Sequence, residues 1–491
     1  MNYIYEYLQK LGYSIPQDYY TKINEWINIW KGKSDWLNVR TIDNKKYPMY
    51  TLGIAKRSCE DLSSVITSEP FVIKAKKNDK ILQEDLLNAK VLKKLPKAIE
   101  TMGYSGTVAS ITRIKNAKVI GEDENARLEK TKDTKIKTIL VNASQIIPLT
   151  IVDGEIQDVA FVSEEKLEID GKNTKVLYME LHELKEKGYQ ITNKYFRADN
   201  GKEIEIDGVV STYNTLSKQP MFAITELPKV NNIDGNNGLG MALYADSIDQ
   251  LKILDLTYNN FGQDFRLGQK IMLVNKKLTK VVNEEYKDKD GNIKQRQKVV
   301  YPTDIQKQLF TDISDGIMGT PNENPYIYEY NPDLRVGDNK EGVQFALDNY
   351  SFKIGFGTHY YSFQKGNLMT ATEAVLSRQD FVVNCNKIRR NINEFLKQIS
   401  RSLLLCEKIL GQNIDETQEI DIPEVDGFLI DEESQRDKLF TDLGAGLISK
   451  KRYLMKVYKM SEEEALQELQ EIQNEENLQE ITPDIYERGE E

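Results

Sequence analysis

The sequence is poor in the groups that most enzymes use for chemistry. It holds two histidines and three cysteines in 491 residues. Two histidines leave few options for imidazole acid–base catalysis or for a histidine-rich metal site. Cys59, Cys385 and Cys406 are odd in number and far apart, which excludes a disulfide framework or a zinc-finger spacing and suits reduced thiols in a cytosolic setting. No apolar run approaches the ~18 residues of a membrane span. The first ten residues lack the basic and apolar regions of a secretory signal. No nucleophile elbow or H-E-x-x-H is present. Gly32-Lys33-Ser34 resembles the end of a P-loop, but Ile27 stands where the first glycine is needed. No catalytic residue, metal ligand or cofactor is therefore expected.

Charge excludes another class. The net charge is −11, and the segment from Ser461 onward, with 12 acidic residues and one arginine, carries all of it. The first 460 residues balance, 65 basic against 65 acidic. This is not the overall basic footprint of a protein that grips nucleic acid. With 40% apolar and 29% charged residues, the chain reads as soluble and globular, long enough for about three domains.

The N-terminal region is helical by spacing. Tyr20, Ile23, Trp26, Ile27 and Trp30 share one face, and Leu52 to Ile66 makes a second amphipathic helix. A short strand is expected at Phe71–Ala75, with helices near 81–95 and 96–102. From Gly106 to Phe222 the turn dipeptides Asp153-Gly154, Asp170-Gly171, Asn200-Gly201 and Asp207-Gly208 separate β-rich runs, which predicts antiparallel hairpins. His182 lies inside one such strand, where a structural role is expected. Gly235-Asn-Asn-Gly238-Leu-Gly240 has the dinucleotide spacing reversed and reads as a loop opening a helix at 241–266. Residues 268–336 form a small β module turning at Asp290-Gly291, and a helix at 340–354 follows. Asp288-Lys-Asp290-Gly291 lacks the first calcium ligand, which would be Tyr286, and reads as a turn.

A glycine- and aromatic-rich loop from Gly355 to Met369 comes next. It leads into one long helix from Thr370 to Leu410, opened by the capping box Thr370-Ala-Thr-Glu373. Apolar residues from Ala371 to Leu410 mark one stripe. Arg378, Lys387, Arg389, Arg390, Asn393, Lys397 and Arg401 mark the opposite face. Helical segments near 432–444 and 447–458 follow, and a last helix is capped by Ser461 with Glu464.

In this order the parts resemble the portal proteins of tailed bacteriophages, in particular the family of long-tailed phages of Gram-positive hosts. The resemblance is carried by Trp26-x-x-x-Trp30-x-Gly32 with Trp36, by the helix Ala55–Glu69 ending Ser-Glu-Pro70, and by Glu180-Leu-His182-Glu with Tyr189-x-Ile191-x-Asn193. It is most specific at Gly355-x-Gly357-Thr-x-Tyr-Tyr-Ser-Phe363 leading to Thr370-Ala-Thr-Glu373. Ile448-Ser449 and Tyr458-Lys-Met460-Ser461-Glu-Glu-Glu464-Ala465 complete it.

The resemblance implies an α+β, portal-like fold with a wing at 1–235, a first stem helix at 236–267 and a clip at 268–338. A second stem helix at 339–355, a tunnel loop at 356–369, a spine helix and linker at 370–424 and a crown with acidic tail at 425–491 would complete it. It implies a homo-dodecameric ring in the virion, at the capsid vertex, and in the host cytoplasm during assembly. Its expected partners are double-stranded DNA held without sequence preference, the terminase large subunit, the head–tail adaptor, and the major capsid and scaffolding proteins, with no membrane. The expected channel residues are His359, Tyr360, Tyr361, Gln364, Lys365 and Asn367, with Gly355, Gly357 and Gly366 as hinges. Two other readings stay open: a different ring or scaffold component, and an enzyme with a dispersed carboxylate metal site.

Overall fold

A computed structural model describes residues 2–40, 46–120, 127–169, 172–206, 209–275, 281–287, 293–299, 310–313, 327–363, 379–423, 432–458 and 460–480. The fold is α+β. The chain divides into two units: residues 1–365 with 388–422, and residues 366–387 with 423–491.

The first unit opens with α1 (Asn2–Lys10) and α2 (Gln17–Trp30), then a two-stranded ribbon of β1 (Asn38–Arg40) and β2 (Lys46–Pro48). Next come α3 (Ile54–Ile66), β3 (Lys74–Ala75), α4 (Asp79–Asn88) and α5 (Val91–Ser105). The predicted stripe of α2 is buried at Tyr20, Ile23, Trp26 and Ile27, while Trp30 stacks on Tyr104 with ring centroids 4.4 Å apart. The strand expected at Phe71–Ala75 is reduced to Lys74 and Ala75, because Phe71 and Ile73 are spent on core packing.

The β region then follows: β4 (Thr107–Lys115), β5 (Lys118–Ile120), β6 (Arg127–Glu129), β7 (Lys135–Asn142), β8 (Ile146–Val152), β9 (Glu155–Ile169), β10 (Lys172–Lys185), β11 (Gly188–Arg197), β12 (Glu203–Ile204), β13 (Thr212–Asn214) and β14 (Phe222–Glu226). One sheet runs β12-β11-β10-β9-β8 with β13 on β11, and a second runs β14-β4-β7. Both are antiparallel, as the turn dipeptides predicted. Asp153 and Gly154 both take positive φ, 53° and 85°, as a two-residue I′ turn between twisted strands requires. The predicted turns at Asp170-Gly171, Asp207-Gly208 and Asp290-Gly291 lie outside the described residues.

Arg113 of β4, half-buried, and Glu180 of β10, buried, join the two sheets through an ion pair. His182 Nε2 lies 3.0 Å from Glu180 Oε1, and the Tyr178 hydroxyl lies 3.0 Å from Glu180 Oε2. His182 is fully buried, edge-on to Phe161 and Phe222, so its role is structural.

The helix expected from Met241 begins instead at Ile248, as α6 (Ile248–Leu267). Met241 to Tyr244 have helical spacing but are buried as a turn. The Leu243 amide donates to Gly103 O at 2.8 Å and the Tyr244 hydroxyl to Trp26 O at 2.8 Å. The small module holds β15 (Ile271–Asn275), β16 (Val281–Lys287), β17 (Ile293–Val299), β18 (Phe310–Ile313) and β19 (Ile327–Tyr330). β15 pairs parallel with β18 and antiparallel with β19, and β16 and β17 form a separate hairpin. α7 (Val336–Lys353) starts four residues before the expected Lys340. It packs along α6, and Arg335 grips Asp264 through two hydrogen bonds, joined by Asn339 at 2.6 Å.

The long helix is described as α8 (Gln379–Ile409). Its predicted start, with the Thr370–Glu373 capping box and Arg378, lies outside the described residues. From Ile388 onward it belongs to the first unit, and there the apolar stripe is buried as predicted. The polar face differs from expectation. Arg389 and Asn393 are 5% and 6% exposed, and every residue from Ser402 to Glu407 is buried. Arg389 turns inward because α3 ends there with unsatisfied carbonyls. Its Nη1 donates to Ile66 O at 3.0 Å, and its guanidinium lies over the Phe71 ring. β20 (Ile420–Asp421) closes the unit by pairing with β3.

The second unit holds α9 (Glu432–Gly444), α10 (Lys450–Val457) and α11 (Glu462–Glu480). The Ser461 capping box forms as predicted: the Glu464 amide donates to Ser461 Oγ at 3.2 Å, and the Ser461 amide to Glu464 Oε2 at 2.7 Å.

Candidate functional site

The segment after α7 is built by a helix stop. Gly355 takes φ +83°, its amide donates to Phe352 O at 3.0 Å, and the Phe356 amide donates to Ser351 O at 2.9 Å. That pair of bonds is a Schellman motif, with glycine at the left-handed position a side chain would disfavour. Gly355, one of the expected hinges, holds a defined turn at the end of α7. Gly357 is also left-handed, at φ +85°. Phe356 enters the core between them at 2% exposure, and Tyr360 and Tyr361 pack on its ring with centroids 4.9 and 6.3 Å away.

Three polar anchors, one from α3 and two from α7, fix the segment. The Tyr361 hydroxyl donates to Asp61 Oδ2 of α3 at 3.0 Å, and Asp61 also pairs with Arg57 at 2.8 Å. Burial, then Asp61, pushes the Tyr361 hydroxyl far above the ordinary tyrosine range, so it remains a donor at every physiological pH. Gln344 of α7 donates to Tyr361 O at 2.9 Å and accepts from the Phe363 amide at 3.3 Å. His359, at φ +64°, sets its Nδ1 2.9 Å from Asp348 Oδ2 and leaves its ring largely exposed.

Of the expected channel residues, the fold brings His359, Tyr360 and Tyr361 together. Gln364, Lys365 and Asn367, and the hinge Gly366, lie outside the described residues. The two tyrosines are half-buried and serve the anchoring cluster, whereas Phe363 is 73% exposed. Asp61, Gln344 and Asp348 carried no signal in the sequence, since Asp61 is 300 residues from its tyrosine. Tyr361→Phe is expected to cost about 1 kcal/mol by removing the hydroxyl bond to Asp61, which keeps its pair with Arg57. It should raise hydrogen exchange of amides 356–363, and unchanged exchange there would rule out the anchoring role.

A second feature lies on the α6–α7 pair. Ile253, Leu256, Phe265 and Leu267 of α6 and Phe345 and Phe352 of α7 are between 47% and 70% exposed. Among the described residues, no three acidic, histidine or cysteine side chains converge as a metal site needs. No protein-family model matches the chain, and no curated protein matches it.

Proposed function

We propose that this chain is the subunit of a tailed-bacteriophage portal, a dodecameric ring at one capsid vertex through which double-stranded DNA is packaged and ejected. Its main support is the apolar surface that α6 and α7 leave to solvent. Phe345 and Phe352 are 70% and 64% exposed on one helix, and a monomer gains nothing from keeping such side chains in water. Neighbouring copies that cover this surface head to tail close into a ring of cyclic symmetry. The order of elements agrees: a β-rich region, α6, an inserted β module, α7, an anchored aromatic loop and a long helix.

In this reading β15 to β19 form the clip that meets the terminase large subunit and later the head–tail adaptor. The major capsid and scaffolding proteins contact the outer body. The anchored residues 355–363 carry the loop that follows toward the channel. Lys365, repeated around the ring, supplies a weak positive girdle that feels phosphate without gripping it. Purified protein imaged by negative stain should show rings with a central hole. Lys365→Glu should leave those rings intact while lowering DNA packaging severalfold. A strictly monomeric mass at micromolar concentration across salt conditions would overturn the proposal.

A further inference from the structure

Two short segments concentrate lysine in a chain whose overall charge is negative. Residues 90–97 hold four lysines and no acid, and residues 130–137 hold four lysines and one acid. The first opens α5; the second runs from the loop after β6 into β7. The fold brings them side by side. Lys94 Nζ, from α5, donates to the β7 carbonyl of Thr138 at 2.6 Å and lies 3.1 Å from its hydroxyl. Burial, then the nearby charges of Lys137 and Lys90, pushes the Lys94 ammonium below its ordinary range, so these groups feel one another. The 130–134 loop is braced as well. The Thr131 amide donates to Thr134 Oγ1 at 2.7 Å, and the Thr131 hydroxyl donates to Asn116 O at 2.8 Å.

Two of the eight lysines are committed: Lys94 to Thr138, and Lys130 to Glu407 at 3.2 Å. Lys90, Lys93, Lys97, Lys132, Lys135 and Lys137 are exposed and make no ion pair among the described residues. The β ladder sets like charges opposite one another, Lys115 against Lys135 and Arg113 against Lys137, an arrangement that costs stability.

We propose that this α5–β7 face binds the phosphate backbone of double-stranded nucleic acid without reading its sequence. Lysine is the residue for this: a compact, hydrated point charge that meets phosphate in many geometries, with none of the fork that arginine offers for bidentate recognition. A protein partner fits less well, since lysine is depleted in protein–protein interfaces, which favour aromatic residues and arginine. A single strand fits less well too, since none of the exposed large apolar side chains on these two segments is aromatic and stacking needs such platforms. Asp133 lies in the second segment, and Glu84, Asp85 and Glu407 line a pocket with Lys130, Lys135 and Lys137; the six exposed lysines outnumber these acids.

The test uses the full chain carrying Lys365→Gln, which removes the loop lysine from the signal. Binding of a mixed-sequence 30-bp DNA duplex is measured against salt. Lys93→Gln/Lys97→Gln and Lys135→Gln/Lys137→Gln are made separately, one pair per segment. Each pair should make the slope of log K against log salt shallower by about 0.9 per lysine removed. The second pair should also unfold at slightly higher temperature, because it relieves the cross-strand repulsion. Unchanged slopes in both variants overturn the proposal, as does polyglutamate binding to a chain that ignores the duplex. Rings seen without duplex binding would reject this face and leave the portal reading standing.

Discussion

Replacing Arg113 with methionine is expected to lower the free energy of unfolding by about 3–5 kcal/mol, because it leaves a buried carboxylate without its cation. Glu180 is 2% exposed at the junction of the two sheets. Burial by itself pushes its carboxyl up; Arg113 and then His182 more than offset this, and the group settles at about 2, against an ordinary value of 4.5. A depressed carboxylate stabilises the fold above its unfolded value and loses that contribution as pH falls through the folded value. The window therefore runs from about 4.5 down to about 2. The shift corresponds to roughly 3 kcal/mol at neutral pH. Urea unfolding at pH 7 and at about pH 3 should show the native chain losing part of this stabilisation and the Arg113→Met chain losing much less. An unchanged urea midpoint at pH 7 would mean that the pair adds no stability. Adding Glu180→Gln to Arg113→Met should restore part of the loss, since no charge then remains to be solvated.

Gly106→Ala is expected to cost about 3 kcal/mol or more. Gly106 ends α5 at φ +85°, which alone penalises a side chain by roughly 1–2 kcal/mol. Steric contact costs more than the backbone angle. A Cβ there would sit 2.2 Å from Gly240 O and 2.6 Å from Gly240 C, both backbone atoms. Gly240 is closed from its own side, where a Cβ would meet Glu226 Cβ at 2.7 Å and Gly106 O at 2.9 Å. Two backbone segments thus cross without room for side chains, stitched by the Gly240 amide donating to Thr107 Oγ1 at 2.8 Å. Thermal unfolding is the readout. Gly154→Ala, at φ +85° but in open space, should lose only the conformational part. Equal losses in the two variants would mean that the crossing contributes nothing.

This crossing explains the Gly235–Gly240 loop better than any phosphate-binding motif does. Glycine spacing excludes the dinucleotide fingerprint, but no local pattern shows that Gly240 faces Gly106, 134 positions away. Met241–Tyr244 stay out of the helix for a similarly distant reason. Their spacing is helical, yet packing against α2 and α5 was worth more than one further turn of helix.

What the sequence determined by itself is whatever depends on neighbours in the chain. The hairpins were legible because turn dipeptides and alternation act within a few residues, and Asp153-Gly154 takes the backbone its residue types favour. The Ser461 capping box and the buried stripe of α8 were legible for the same reason. The lysine content of 90–97 and 130–137 was equally open to inspection; that the two lie on one face was not. Tertiary structure alone decided that Arg389 turns inward, since the carbonyl it serves is 323 residues away. It alone decided that Tyr361 is tied to α3, and that Arg113 meets Glu180 across 67 residues. Local preference is worth tenths of a kcal/mol per residue, whereas satisfying a buried charge or an orphaned carbonyl is worth several times that. Long-range partners therefore override the pattern wherever the two conflict, and only the folded chain shows which partners those are.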